Sequence, residues 1–158
     1  LGLGCEPVEL VGGNPQIVIV EPKQGEEDLI FNISVTNEVP ELRRLRREIQ
    51  NTLAKTQACD IAMNVCLAVD EATQNIIRHA FPENMSGRIE IGGYFASQKL
   101  HISITDTAPL IDLSQVKPRD LNDIRDGGLG THLIMEVSDE ARWWHDSGRN
   151  RLDLVFVC

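Results

Sequence analysis

No apolar run in this chain approaches the ~20 residues that a membrane-spanning helix needs, and its start has no charged-then-apolar signal pattern. The expectation is a cytoplasmic protein that makes no membrane contact. Positive charge is scarce, with 15 Lys and Arg against 24 Asp and Glu for a net charge of −9. Such a surface repels nucleic acid and anionic lipid, so proteins, or small molecules that carry their own cation, are the expected partners. The four cysteines include no C-x-x-C pair. Cys59 and Cys66 lie nearly two helical turns apart, roughly 10 Å, which is beyond disulfide reach. Reduced structural thiols are expected, and neither Cys nor His shows zinc-ligand spacing. What remains, 158 residues at 42% hydrophobic and 25% charged, has the size and composition of one well-buried globular domain.

Residues 1–28 are rich in Gly, Pro and Glu and read as an extension or linker, which leaves 29–158 as the domain. From 29 to 35, Leu29, Phe31, Ile33 and Val35 alternate with polar residues as in a strand. Asn37 is placed to cap a helix with Pro40 in its first turn. That helix buries Leu42, Leu45, Ile49 and Leu53 and leaves Arg43, Arg44, Arg46 and Arg47 outside, as a solvated face or a docking patch for an acidic partner. Residues 60–81 carry Ile61, Val65, Ala68, Val69, Ala72, Ile76 and Ile77 at helical spacing. Residues 88–95 and 99–106 form a hairpin by pattern, with Asp106 at its exit. The stretch 107–126 is long, polar and aperiodic, which suggests a lid or binding loop. A helix over 131–137 and a last hairpin, 140–145 and 150–157 around Asp146-Ser147-Gly148, complete the order. Strand, helix, helix, hairpin, lid, helix, hairpin implies an α+β two-layer sandwich with helices on one face of a mostly antiparallel mixed sheet.

Glu71, Asn75 and His79 stand four apart on the 60–81 helix, so they form a polar line beside its apolar face. A carboxylate and an amide one turn apart suit Mg²⁺ binding or the orientation of a nucleophile, although solvated residues at a helix end give the same spacing. Gly127-Gly128-Leu129-Gly130 precedes the third helix. Glycines there let the backbone approach an anion such as phosphate at the helix N-terminus, or serve as a hinge. No Lys-Ser or Lys-Thr follows them, so this is no Walker A loop, and the usual protein-kinase signatures are missing.

In order, these features resemble the GHKL nucleotide-binding superfamily, and its branch of anti-sigma-factor serine/threonine kinases in particular. DEATQNIIRHAF resembles the branch's N box, GGLGTHLI its second glycine box and SGRNRLDLVF its closing hairpin. The resemblance implies a Bergerat-type fold with an ATP lid, and a kinase that uses ATP and Mg²⁺ to phosphorylate a small STAS-type anti-anti-sigma partner. It also implies sequestration of a sigma factor, and homodimerisation. Asn75 would hold Mg²⁺, Glu71 would be the general base, and Asp106 would accept from the adenine amino group. Gly128, Gly130 and Thr131 would bind the nucleotide on its phosphate side. The family's Asp-x-Gly is replaced here by Asp106-Thr107-Ala108, where a Cβ could crowd the adenine or a positive-φ turn. The alternative is therefore a non-catalytic nucleotide-binding or partner-sequestering module.

Overall fold

A computed structural model of the chain describes residues 28–116 and 129–158. Its strands are β1 (Asp28–Thr36), β2 (Arg88–Ala96), β3 (Lys99–Asp106), β4 (Glu140–Asp146) and β5 (Arg149–Val157), and its helices are α1 (Glu41–Leu53), α2 (Ala62–Asn75) and α3 (Leu129–Val137). The strands form one sheet in the order β1-β2-β3-β5-β4, and each of its four pairings is antiparallel. Two-residue turns close the hairpins. Ser97 and Gln98 link β2 to β3, Ser147 and Gly148 link β4 to β5, and all four have positive φ. Such turns match the right-handed twist of the strands they join.

Alternate residues of the sheet, among them Ile33, Ile89, Ile91, Ile102, Ile104, Leu152, Leu154 and Phe156, share one buried cluster with Leu45, Ile49, Val65, Ala68, Val69 and Ile134 from the helices. The opposite face is polar and is held by its own pairs. Asp153 there accepts from Trp144 Nε1 at 2.7 Å and Arg151 Nε at 2.9 Å. Small residues at Ala68 and Ala72 are both buried on α2, which lets that helix approach its neighbours closely. No helix among the described residues is long and apolar enough to cross a membrane. Cys59, Cys66 and Cys158 are free thiols, and Cys66 is buried.

The 60–81 segment is not one α-helix. A 3₁₀ turn, Cys59–Ile61, leads into α2, and a π-helical turn, Ile76–Ala80, follows it. The segment ends at Phe81, whose backbone is extended, as expected of a residue that precedes a proline. Asn37 does not cap α1 either. Its Nδ2 donates to Met85 O at 2.7 Å and its Oδ1 accepts from Gly87 N at 3.1 Å. A long-range bridge to two backbone groups has displaced the local cap, and Pro40 opens the helix with no side-chain cap. The arginine face of α1 is partly engaged. Arg46 grips Asp70 of α2 through two bonds, and Arg44 bonds to Glu41, Glu48 and Ser34 O. Most of 1–28, the 117–126 part of the expected lid, and Gly127 and Gly128 lie outside the described residues.

Gly87 shows how closely the loop before β2 is packed, because a Cβ there would stand 2.0 Å from the Phe81 ring. Phe81 is buried and has little freedom to yield. Gly87→Ala is expected to cost about 1–3 kcal/mol of stability, as overpacking does, measured by urea denaturation against wild type.

Candidate functional site

A cleft of about 300 Å³ opens between the end of α2 with its π turn, the C-terminal end of β3, α3, and the β4–β5 hairpin. Its floor is aliphatic, from Ile104, Ile134 and Leu152, and its polar groups are Asn75, His79, Asp106, Gln115, Thr131, Asn150 and Arg151. An apolar pocket with a few convergent polar groups is the usual form of a small-molecule site.

Asp106 is the last residue of β3 and is buried. Its Oδ1 accepts from Ala108 N at 2.9 Å and from Asn150 Nδ2 at 3.0 Å. No donor among the described residues reaches Oδ2, so one carboxylate oxygen remains to accept from a ligand in the cleft. Burial holds the Asp106 carboxyl above the usual aspartate range, while the hydrogen bonds from Asn150 and Ala108 pull it back. Exposed Asp112 goes the other way, lowered by hydrogen bonds from the Ser114 hydroxyl and amide.

Asn75 ends α2 and faces the cleft, half-buried. His79 joins it from the π turn. Glu71, one turn earlier on α2, is half-buried and does not line the cleft. Glu71 and Asn75 lie one turn apart within the regular α-helix, so they share a face as the spacing implies, with Glu71 one turn further from the cleft. The π turn begins only after Asn75, and it alters the spacing of His79 alone. Thr131 lines the cleft from the first turn of α3, which also contains Gly130, whereas Gly128 falls outside the described residues. Ala108 has no positive φ, is buried in the core cluster and is not part of the cleft lining. The positive-φ turn expected at this position does not arise, and its Cβ packs into the core.

One cleft residue carries no signal of its own in the sequence. Asn150 is second in β5, a strand whose pattern is otherwise ordinary, and only its pairing with Asp106 gives it a place in the cleft. His145, paired with Asn150 across the hairpin, lies with Nε2 3.0 Å from Ile111 O.

No group of three His, Cys, Asp or Glu side chains among the described residues could cage a metal. A cation in this cleft would need most of its ligands from the bound molecule. The Asn75 side chain has no hydrogen-bond partner among the described residues, so its amide oxygen suits such a shared site.

The sequence model of a family described as histidine kinase-like ATPase domain matches residues 35–156. Serine-protein kinase RsbW of Staphylococcus aureus is 35% identical over 91 residues, and that of Listeria monocytogenes is 30% identical over 90. Each match covers 52% of this chain and 57% of the relative, so the chain spans little more than half the length of these proteins. Among solved structures, the RsbU and RsbW domains of Rv1364c from Mycobacterium tuberculosis superpose with a TM-score of 0.59 at 17% identity, covering 89% of this chain and 34% of that one. The histidine kinase domain of the Erythrobacter litoralis EL346 blue-light activated kinase gives 0.51 at 18%, over 74% of this chain and 59% of that one. At such identities the likeness is one of fold.

Carboxyl carbon-13 NMR across a pH titration should find Asp106 titrating above the ordinary aspartate midpoint and Asp112 below it. An Asp106 midpoint at or under the ordinary value would mean that its hydrogen bonds outweigh its burial.

Proposed function

Because the chain belongs to the histidine kinase-like ATPase domain family, we propose that it is an ATP-dependent protein serine/threonine kinase and anti-sigma factor, which phosphorylates a STAS-type anti-anti-sigma partner in a partner-switching circuit. The observation that carries this reading is the buried Asp106 carboxylate, with one oxygen unclaimed among the described residues, in the same cleft as Asn75. An acceptor oxygen in an aliphatic pocket suits the amino edge of adenine, and an amide at the pocket's rim suits the cation that accompanies its phosphates. The serine-protein kinase names of the relatives point the same way. In this reading the protein works in the cytoplasm as a homodimer and holds a sigma factor when its partner is phosphorylated.

Asp106 would accept from the adenine amino group, Asn75 would hold Mg²⁺ through its amide oxygen, and Gly128, Gly130 and Thr131 would serve the phosphate side. Mg²⁺, when bound, neutralises phosphate charge and so makes the γ-phosphorus easier to attack. The acceptor serine oxygen forms a bond to the γ-phosphorus as the bond to the bridging oxygen of ADP breaks. The serine proton passes to the Glu71 carboxylate.

The position of Glu71 outside the cleft lining favours a second reading, in which the domain binds nucleotide or sequesters a partner without catalysis. Glu71→Gln preserves size and removes the base. It should bind Mg-ATP within a few-fold of wild type by calorimetry while losing about 10²- to 10⁴-fold in phosphorylation of a cognate acceptor. Asn75→Ala should lose Mg²⁺-dependent binding and activity together. A wild type that binds Mg-ATP and its partner but never transfers phosphate would leave the second reading in place. A wild type that does not bind nucleotide at millimolar concentration would end the first.

A further inference from the structure

Asn150 is almost fully buried, at 4% exposure, and no element of the proposed transfer uses it. Its side chain nevertheless makes the densest set of hydrogen bonds at the cleft. Nδ2 donates to Asp106 Oδ1 at 3.0 Å and to Pro109 O at 3.0 Å, with Ala108 O further off at 3.5 Å. Oδ1 accepts from Ile111 N at 2.9 Å. The reverse amide orientation would set Nδ2 against the Ile111 N–H, donor against donor, so this network admits one orientation. A single buried amide thus ties together the carboxylate that ends β3, two carbonyls of the loop after it, and the first amide beyond Pro109 and Leu110.

From this geometry we infer that Asn150 is a positioning and specificity residue, which occupies one oxygen of Asp106 so that the other is presented to the amino group of an adenine ring. The inference rests on reading the cleft as an adenine-nucleotide site. Held at Oδ1 by two donors, the carboxylate cannot rotate to exchange its oxygens without breaking both bonds, so Oδ2 faces the ligand in one direction only. An acceptor fixed there matches the N6 amino group of adenine and opposes the O6 acceptor of guanine. A buried acceptor left facing another acceptor is the arrangement by which a polar site rejects the wrong ligand. The same amide fixes the backbone from 108 to 111, so base recognition and the start of the long connection to α3 share one anchor.

Three variants separate these roles from simple packing. Asn150→Ala removes both donor and acceptor. Asn150→Asp keeps the volume and the oxygen that receives Ile111 N–H, but sets a second carboxylate against Asp106. Asn150→Ser retains a small polar group and serves as the comparison if either of the others fails to fold. Calorimetry with ADP and GDP should show wild type preferring ADP. Every variant should lose at least about tenfold in ADP affinity with GDP changed less than about threefold, so that the preference narrows. In nucleotide-free protein, Asp106 should titrate at higher pH in Asn150→Ala than in wild type, because a hydrogen bond to its charged form has gone. Exchange of the Ile111 amide should quicken in Asn150→Ala and stay slow in Asn150→Asp.

An ADP-to-GDP preference equal to that of wild type in folded variants overturns the inference, whatever happens to overall affinity. If wild type binds neither nucleotide, it is the adenine reading of the cleft that has failed. The Asp106 midpoint, measured without ligand, then decides separately whether Asn150 controls the carboxylate, and an unchanged midpoint overturns that as well.

Discussion

Because side chains alternate along a strand, the antiparallel register that sets Ile102 against Leu154 and Ile104 against Leu152 also sets Asp106 against Asn150. A slip of one residue would turn the leucines to the polar face and drive Arg151 and Asp153 into the core. Burial of that aliphatic face therefore enforces the meeting of the two polar residues at its end. The tight turns at Ser97-Gln98 and Ser147-Gly148, with their positive φ values, fix the registers of the two hairpins, β2 with β3 and β4 with β5, so the pairing of β3 with β5 is left to the burial of their apolar faces. The cleft needs no separate device to assemble it, since it lies where the apolar rows of β3 and β5 stop and the first polar pair begins.

The second constraint is the way α2 ends. Its buried face of Val65, Ala68, Val69 and Ala72 continues through partly buried Ile76 and Ile77, but the chain must leave the helix before Pro82. It does so through a π turn, which shifts the angular positions of the side chains after Asn75. Asn75 and His79 line the cleft and Glu71 does not. The helix thus delivers an amide to the pocket, while the half-buried carboxylate one turn earlier stays outside the lining.

Ala108 shows how a local rule can be set aside without cost. A glycine is required where the backbone turns to positive φ or a ligand presses on the Cα. The φ of Ala108 is ordinary, and its methyl joins the core cluster outside the cleft lining. The course of the loop is set by Asn150, through Pro109 O and Ile111 N, and by the Asp106 carboxylate, which receives Ala108 N–H.

Much of the architecture was legible in the chain itself. The alternation in β1, β3 and β5, the inward Leu42, Leu45, Ile49 and Leu53 of α1, and the Ser147-Gly148 turn are all local patterns, and each local pattern produced its element. Asp106 stood out because it ends an alternating strand, and Asn75 because it is one of three polar residues four apart on the 60–81 segment. The local sequence failed wherever a distant partner outbid a near one. Asn37 bonded to the loop at 85–87 in place of its helix, and the register of β3 with β5, not any motif, brought Asn150 to Asp106. Periodicity is a property of neighbours along the chain, so the sequence alone determined the elements and their buried faces. Which polar groups meet depends on contacts between residues some forty positions apart, and only the packed sheet decided those.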